Sequence, residues 1–311
     1  MKIEKTEGLI AAPFTPMNTD GSVNLNIIRD YARKLQQDKL KGVFICGTTG
    51  EGMLLTNSER KAIVEQWVEH QSAGLKVFVH VGTTSSKQSF ELAKHAQQAG
   101  AYATACMGPM YLKPTHIEEL VGFCSEVAKG APDIPFYYYH FPNFSGVDFN
   151  MSEFIPKAAE TIPNFAGVKF THNNFMDMMQ CLNLDGGKWD ILHGYDEVLL
   201  AGLAFGARGA VGSTYNYMAP LYTGMMNDFN NGNLEAARKK QALSIKVVGI
   251  LNKYGGPMAA GKAIMKSAGV DCGPCRMPVK TVTGKLYENL TEEIEQSGAF
   301  ELKTKNGNFL E

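Results

Sequence analysis

Eight short apolar runs recur along the first two thirds of the chain, each of strand length and each followed by a stretch with helical spacing. They fall at Gly8 to Phe14, Gly42 to Cys46, Lys76 to Val81, Ala103 to Met107, Ile134 to His140, Phe165 to Thr171, Asp190 to Gly194 and Ala207 to Gly212. Several are apolar throughout rather than alternating, the pattern of a parallel sheet with helices over one face and core against the other. The helical signals between them are local. Thr56-Asn57-Ser58-Glu59, ahead of Ile63 and Trp67, joins a capping pattern to an i, i+4 apolar face, and Ser152 to Ile155 and Asp196 to Leu200 open similar segments. Regular alternation predicts a (β/α)8 barrel, with a doubly wound sheet as the alternative arrangement. After the eighth run, residues 230–306 read as helix with almost no strand signal; Leu234 to Tyr254 and Ala259 to Ala268 are candidate helices. The expected organisation is an α/β (β/α)8 TIM barrel over residues 1–229 that carries the active site, and a C-terminal α-helical extension over 230–311.

Composition narrows the function classes. A chain of 311 residues with 44% hydrophobic and 20% charged side chains is neither disordered nor fibrous. Thirty basic against 31 acidic residues, a net charge of -1, argue against a nucleic-acid surface, which needs clustered cations. Met1-Lys2-Ile3-Glu4-Lys5 has no apolar core of signal-peptide length, and no run reaches the ~18 apolar residues of a membrane span. Six cysteines in this length do not suggest a disulfide framework, so a cytoplasmic protein is expected. The seven histidines form no HExxH-type motif, and neither a metal nor a cofactor is expected in the chemistry.

In a barrel, chemistry collects where strands end at their C-terminal edge. Gly47-Thr48-Thr49-Gly50-Glu51-Gly52 follows the second run and can present hydroxyls and backbone N–H groups to an anion, or serve as a structural turn. Lys169 is sharper, because it interrupts the apolar run Phe165 to Thr171. Alternation places Gly167, Lys169 and Thr171 on one face and Val168 and Phe170 on the other. If the latter meet the helices, Lys169 points into the barrel; the competing reading is a lysine that snorkels to the rim. Lysine ordinarily titrates near 10.4, and lowering that to 7 requires about 4.6 kcal/mol of differential destabilisation of the ammonium. A neutral amine there can attack a carbonyl and form a Schiff base.

Pro135 to Pro142 contains Tyr137-Tyr138-Tyr139-His140, with Tyr137 and Tyr139 on one face. A phenol one strand from an inward lysine can shuttle a proton, although for any single tyrosine aromatic packing is the commoner role. His140, opposite Tyr139, reads as a supporting or core histidine. Asp196, in Gly194-Tyr195-Asp196-Glu197, is either a helix cap or, with Glu197, a partner for substrate hydroxyls. Gly212-Ser213-Thr214 ends the eighth run. Two motifs are set aside: Cys272-Gly273-Pro274-Cys275 has redox-pair spacing, and Gly256 to Ala263 mimics a phosphate loop, but neither follows a strand.

Taken in order, GTTGEG at 47–52, YYYHFP at 137–142, GVKFT at 167–171, GYDE at 194–197, GAVGSTYNY at 209–217 and the GPxRxP turn from Gly273 to Pro278 resemble the dihydrodipicolinate synthase and N-acetylneuraminate lyase family of class I aldolases. The resemblance runs through nearly the whole chain and is nearest to the branch that cleaves sialic acid, particularly its animal type. It implies Lys169 as the Schiff-base lysine and Tyr139 as the proton-transfer phenol. Thr48 and Thr49 would hold the pyruvoyl carboxylate; the first is often serine in that branch, a change that keeps the hydroxyl. Thr171, Gly194, Asp196, Glu197 and Ser213 match positions that hold the sugar-derived part. The implied reaction is reversible cleavage of N-acetylneuraminate to N-acetylmannosamine and pyruvate. The implied assembly is a homotetramer in which Tyr111, in Pro109-Met110-Tyr111-Leu112, reaches a neighbour's site. Dihydrodipicolinate synthases place an arginine after the Tyr-x-x-Pro segment, where this chain reads Asn143-Phe144-Ser145-Gly146. Other readings are a different pyruvate-dependent aldolase of the family, for example one acting on 2-keto-3-deoxy sugar acids, and a barrel that binds sialic acid or pyruvate without turnover.

Overall fold

The computed structural model describes residues 3–299; Met1, Lys2 and residues 300–311, including the end of the expected helical extension, lie outside the described residues. Eight strands, β1 (Gly8–Ala11), β2 (Gly42–Ile45), β3 (Lys76–His80), β4 (Ala103–Met107), β5 (Phe136–His140), β6 (Phe165–Phe170), β7 (Asp190–His193) and β8 (Gly209–Gly212), pair in sequence order into a closed barrel. Every pairing is parallel, and β1 closes on β8 through Gly8↔Gly209 to Ala11↔Gly212. The doubly wound alternative is thereby excluded. Strands are shorter than their apolar runs because the C-terminal ends leave the ladder as loops: Ala12 to Phe14 continue the β1 run outside the sheet.

The helices are α1 (Ile28–Gln37), α2 (Asn57–Glu69), α3 (Ser86–Ala99), α4 (Ile117–Ala128), the single turn α5 (Pro142–Ser145), α6 (Met151–Thr161), α7 (Phe175–Asn183), α8 (Leu199–Ala204), α9 (Tyr215–Asn230), α10 (Leu234–Lys253), α11 (Gly256–Ser267) and α12 (Gly284–Gln296). Among the described residues no helix is long and apolar enough to cross a membrane.

Two apolar layers follow from strand alternation. Ile10, Phe44, Phe78, Tyr137, Tyr139 and Leu192 fill the barrel, whereas Val43, Val77, Tyr138, Val168 and Phe170 face the helices in a second, larger cluster. Full burial of one such aliphatic side chain stabilises by roughly 1.5–3 kcal/mol. Toward the N-terminal end of the barrel, Asp190 accepts hydrogen bonds from the Tyr137 hydroxyl at 2.9 Å and the Thr6 N–H at 3.2 Å.

The caps divide into local and borrowed ones. At α2, Thr56 accepts from the Glu59 N–H at 3.2 Å while Glu59 accepts from the Thr56 N–H at 2.8 Å, the expected capping box. At α6 the Ser152 segment does not cap itself. Asp177 of α7 accepts from the N–H groups of Met151 and Ser152 at 2.8 and 2.9 Å.

Candidate active site

Lys169, Tyr139, Thr48, Thr49, Thr171, Gly194, Asp196, Glu197 and Ser213 line one cavity of about 340 Å³ at the C-terminal end of the barrel. Tyr111 lies elsewhere, on the β4–α4 loop, 86% exposed. Tyr139 and Lys169 are register partners on the adjacent strands β5 and β6, so backbone pairing sets their separation. The Lys169 Nζ lies 4.2 Å from the Phe44 ring centroid and 3.9 Å from that of Tyr139. Of the two readings open for this lysine, the inward one holds, since its neighbours Val168 and Phe170 pack against the helices.

Burial pushes the Lys169 amine down to about 7, with the nearby Asp196 carboxylate opposing the shift. Asp196 is pushed up to about 6 by its own burial and by Glu197 beside it. Burial also raises Glu197. Tyr139 is raised far above the usual phenol range by burial, despite a Thr48 hydroxyl 3.5 Å from its oxygen, and therefore stays protonated near neutrality. The cavity thus sets an amine that can be neutral beside a phenol that keeps its proton. Two carboxyl groups, Asp196 and Glu197, stand just past the end of the neighbouring strand β7.

Asp196 is not the cap of a helix. Its Oδ2 accepts from the Thr214 N–H at 2.8 Å and the Thr214 hydroxyl at 2.7 Å, which ties the loop after β7 to that after β8. Gly212 permits this approach: a Cβ there would sit 1.7 Å from Asp196 Oδ1. Gly194 plays the same part for Thr171, whose Oγ1 would lie 1.9 Å from an added Cβ.

Other wall residues could not be assigned to the site from sequence alone. Phe141, Phe144 and Tyr195 form an aromatic rim, with the Tyr195 hydroxyl accepting from Asn143 Nδ2 at 3.1 Å. Gly255, Gly256, Pro257 and Met258, at the start of α11, contribute from the extension. This is the segment that mimics a phosphate loop; Gly255 and Gly256, at φ 95° and 83°, allow a sharp turn out of α10, and Lys262 is paired with Glu51.

That contact supports the threonine loop from behind. Glu51 holds a left-handed backbone, φ 55°, and its Oε1 accepts from Lys262 Nζ at 2.6 Å. Its Oε2 accepts from the Arg276 N–H at 2.6 Å. Arg276 grips Glu59 in a two-pronged pair at 2.7 and 2.8 Å and donates to the Leu54 and Gly21 carbonyls. The GPxRxP turn is thereby a brace for the loop carrying Thr48 and Thr49. Cys272, just before it, and Cys275, inside it, are free thiols.

Comparison with known proteins agrees with this geometry. The sequence pattern of the dihydrodipicolinate synthetase family matches residues 5–297. N-acetylneuraminate lyase of Gallus gallus is 42% identical over 296 residues, covering 94% of this chain and 96% of that one. The Homo sapiens protein of the same name is 36% identical, covering 94% and 92%. Among solved structures, Proteus mirabilis N-acetylneuraminate lyase superposes with a TM-score of 0.93 at 39% identity, covering 96% of this chain and 100% of that one. The sialic acid aldolase of Aliivibrio salmonicida gives 0.92 at 38% identity, with 99% of each chain covered. A family pattern that spans nearly the whole chain, on a barrel that carries its lysine and tyrosine on paired strands, makes this chain a member of the dihydrodipicolinate synthetase family.

Proposed function

We infer that the chain is a class I aldolase that cleaves N-acetylneuraminate reversibly to N-acetylmannosamine and pyruvate, with Lys169 forming the Schiff base. The observation that carries this reading is the buried Lys169 amine, held at about 7 beside Tyr139. Neutral Lys169 attacks the C2 ketone of the open-chain sugar acid, and uptake of one proton with loss of water leaves a cationic imine; hydrolysis later returns that proton. The faces of Phe44 and Tyr139 and the charge of Asp196 favour that cation over the neutral amine. The C4 hydroxyl proton passes through the Tyr139 phenol to the substrate's own carboxylate, so the phenol is never left as phenolate. The C3–C4 bond breaks, N-acetylmannosamine leaves, and the electrons remain as an enamine. Protonation at C3 and hydrolysis release pyruvate and restore the amine.

Thr48 and Thr49 hold the carboxylate with hydroxyl and N–H donors, while Thr171, Gly194, Asp196, Glu197 and Ser213 face the polyol. The two carboxyl groups on that wall accept from hydroxyls and repel a second carboxylate, which favours a sugar-derived aldehyde over a semialdehyde acid. The names of the relatives point the same way. We further propose a homotetramer in which the exposed Tyr111 borders a neighbour's cavity, and a cytoplasmic setting, which suits six free thiols.

Incubation with pyruvate and borohydride is expected to add one reduced three-carbon unit, mapped by peptide mass spectrometry to Lys169. Labelling at another lysine, or none, overturns the assignment. Release of pyruvate from N-acetylneuraminate, absent in Lys169→Ala, tests the substrate.

A further inference from the structure

We propose that His140, His172 and Asp148 form a binding site for a divalent transition cation of the kind imidazole prefers, on the outer side of the barrel at the ends of β5 and β6. One ligand atom from each of the three lies within 4.8 Å of the others. The His140 Nε2 and His172 Nδ1 are 3.4 Å apart, and their rings stand at 76°. A tetrahedral ion with metal–nitrogen bonds of about 2.0–2.1 Å needs its two nitrogens roughly 3.4 Å apart, the spacing seen here. The Asp148 Oδ1 lies 3.9 Å from His172 Nδ1, and its side chain is 64% exposed, so it is free to close in and open to entering ions. His140 is fully buried and His172 largely so, which fixes the two nitrogens before any ion arrives.

The site is separate from the catalytic cavity, whose lining includes none of the three residues. His140 follows Tyr139 but points to the opposite face, against Phe170. Two imidazoles and one carboxylate suit zinc-like ions, whereas magnesium and calcium require oxygen-rich shells. The His140 Nδ1 is buried without a hydrogen-bond partner. Metal-bound imidazoles ordinarily donate that second N–H, and its lack of an acceptor weakens binding by about 10–100-fold relative to a fully supported site. A bound ion would clamp the ends of the two strands that carry Tyr139 and Lys169. The competing account of the same geometry is a plain His–His hydrogen bond with a nearby surface aspartate.

Metal-free full-length protein titrated with Zn2+ against a chromophoric chelator, and separately with Co2+, decides between them. One equivalent is expected to bind, with the intense visible bands of tetrahedral Co2+, and Zn2+ but not Mg2+ should raise the thermal midpoint. His172→Ala and Asp148→Asn should each weaken Zn2+ binding at least 10-fold, and His172→Ala should abolish the Co2+ bands. Asp148→Asn alters an exposed side chain and keeps the test valid should His172→Ala fail to fold. Undiminished affinity in Asp148→Asn, weak bands of octahedral Co2+, cobalt–thiolate absorption, or no binding below millimolar Zn2+ each overturns the proposal.

Discussion

Burial of the Lys169 amine, which lowers its proton affinity, comes at a cost to the fold. Its folded value of about 7 lies below the unfolded 10.4, so between those limits the unfolded chain binds more protons. Stability therefore increases as pH rises from 7 toward 10, and the full penalty is present below 7. Lys169→Met is expected to raise stability by on the order of 2–4 kcal/mol at pH 7, with the gap closing near pH 10, as read by urea unfolding at both values. The same group sets the acid limb of catalysis: kcat/KM for N-acetylneuraminate should fall as pH drops through about 7. A flat profile from pH 6 to 8 would argue against Lys169 as nucleophile. This residue was legible in the sequence because a charge inside an apolar run stands out against its neighbours. Glu51 was not legible, because it looks like any turn carboxylate until Lys262 and Arg276, more than two hundred residues later, fold onto it.

At the level of elements, strands and self-capped helices followed from local pattern, whereas joints between elements did not. The Thr56 box is written in four consecutive residues. The cap of α6 comes from Asp177 on α7, and Asp196, at the first position of a short helical turn before α8, ties the β7 and β8 loops together rather than capping a helix. The brace between the Thr48 loop and the extension is the most consequential of these joints. Both side chains of the Glu51–Lys262 pair are 1% exposed. Glu51→Gln leaves the ammonium buried and unpaired, an expected loss of about 3–5 kcal/mol in unfolding free energy. Adding Lys262→Met should recover a large part of that stability, while KM for pyruvate in the reverse reaction stays raised because the loop has lost its grip on Arg276. A single variant as stable as the parent would show that the pair does not hold the loop.

For the whole molecule, regular alternation sufficed to indicate a barrel, because eight apolar runs with helical spacers leave few ways to bury both faces of a sheet. The expectation of a tetramer rests on resemblance alone. Sedimentation should give four times the mass of one chain, and Tyr111→Ala should lower kcat/KM roughly 10-fold without dissociating the assembly, the loss of about one hydrogen-bonding partner. A fully active monomer would contradict the proposed tetramer. The pairing of Tyr139 with Lys169 across β5 and β6 reaches further than the reaction it serves. The proposed Schiff-base lysine and phenol sit on the ladder, whereas the rim of the cavity comes from loops and from the first turn of α11. Chemistry and taste are therefore written in different parts of the chain. Exchanging rim residues such as Phe144 or Met258 offers a way to retune which aldehydes are accepted, while the proposed pyruvate contacts, Lys169 on β6 and the braced loop of Thr48 and Thr49, stay in place.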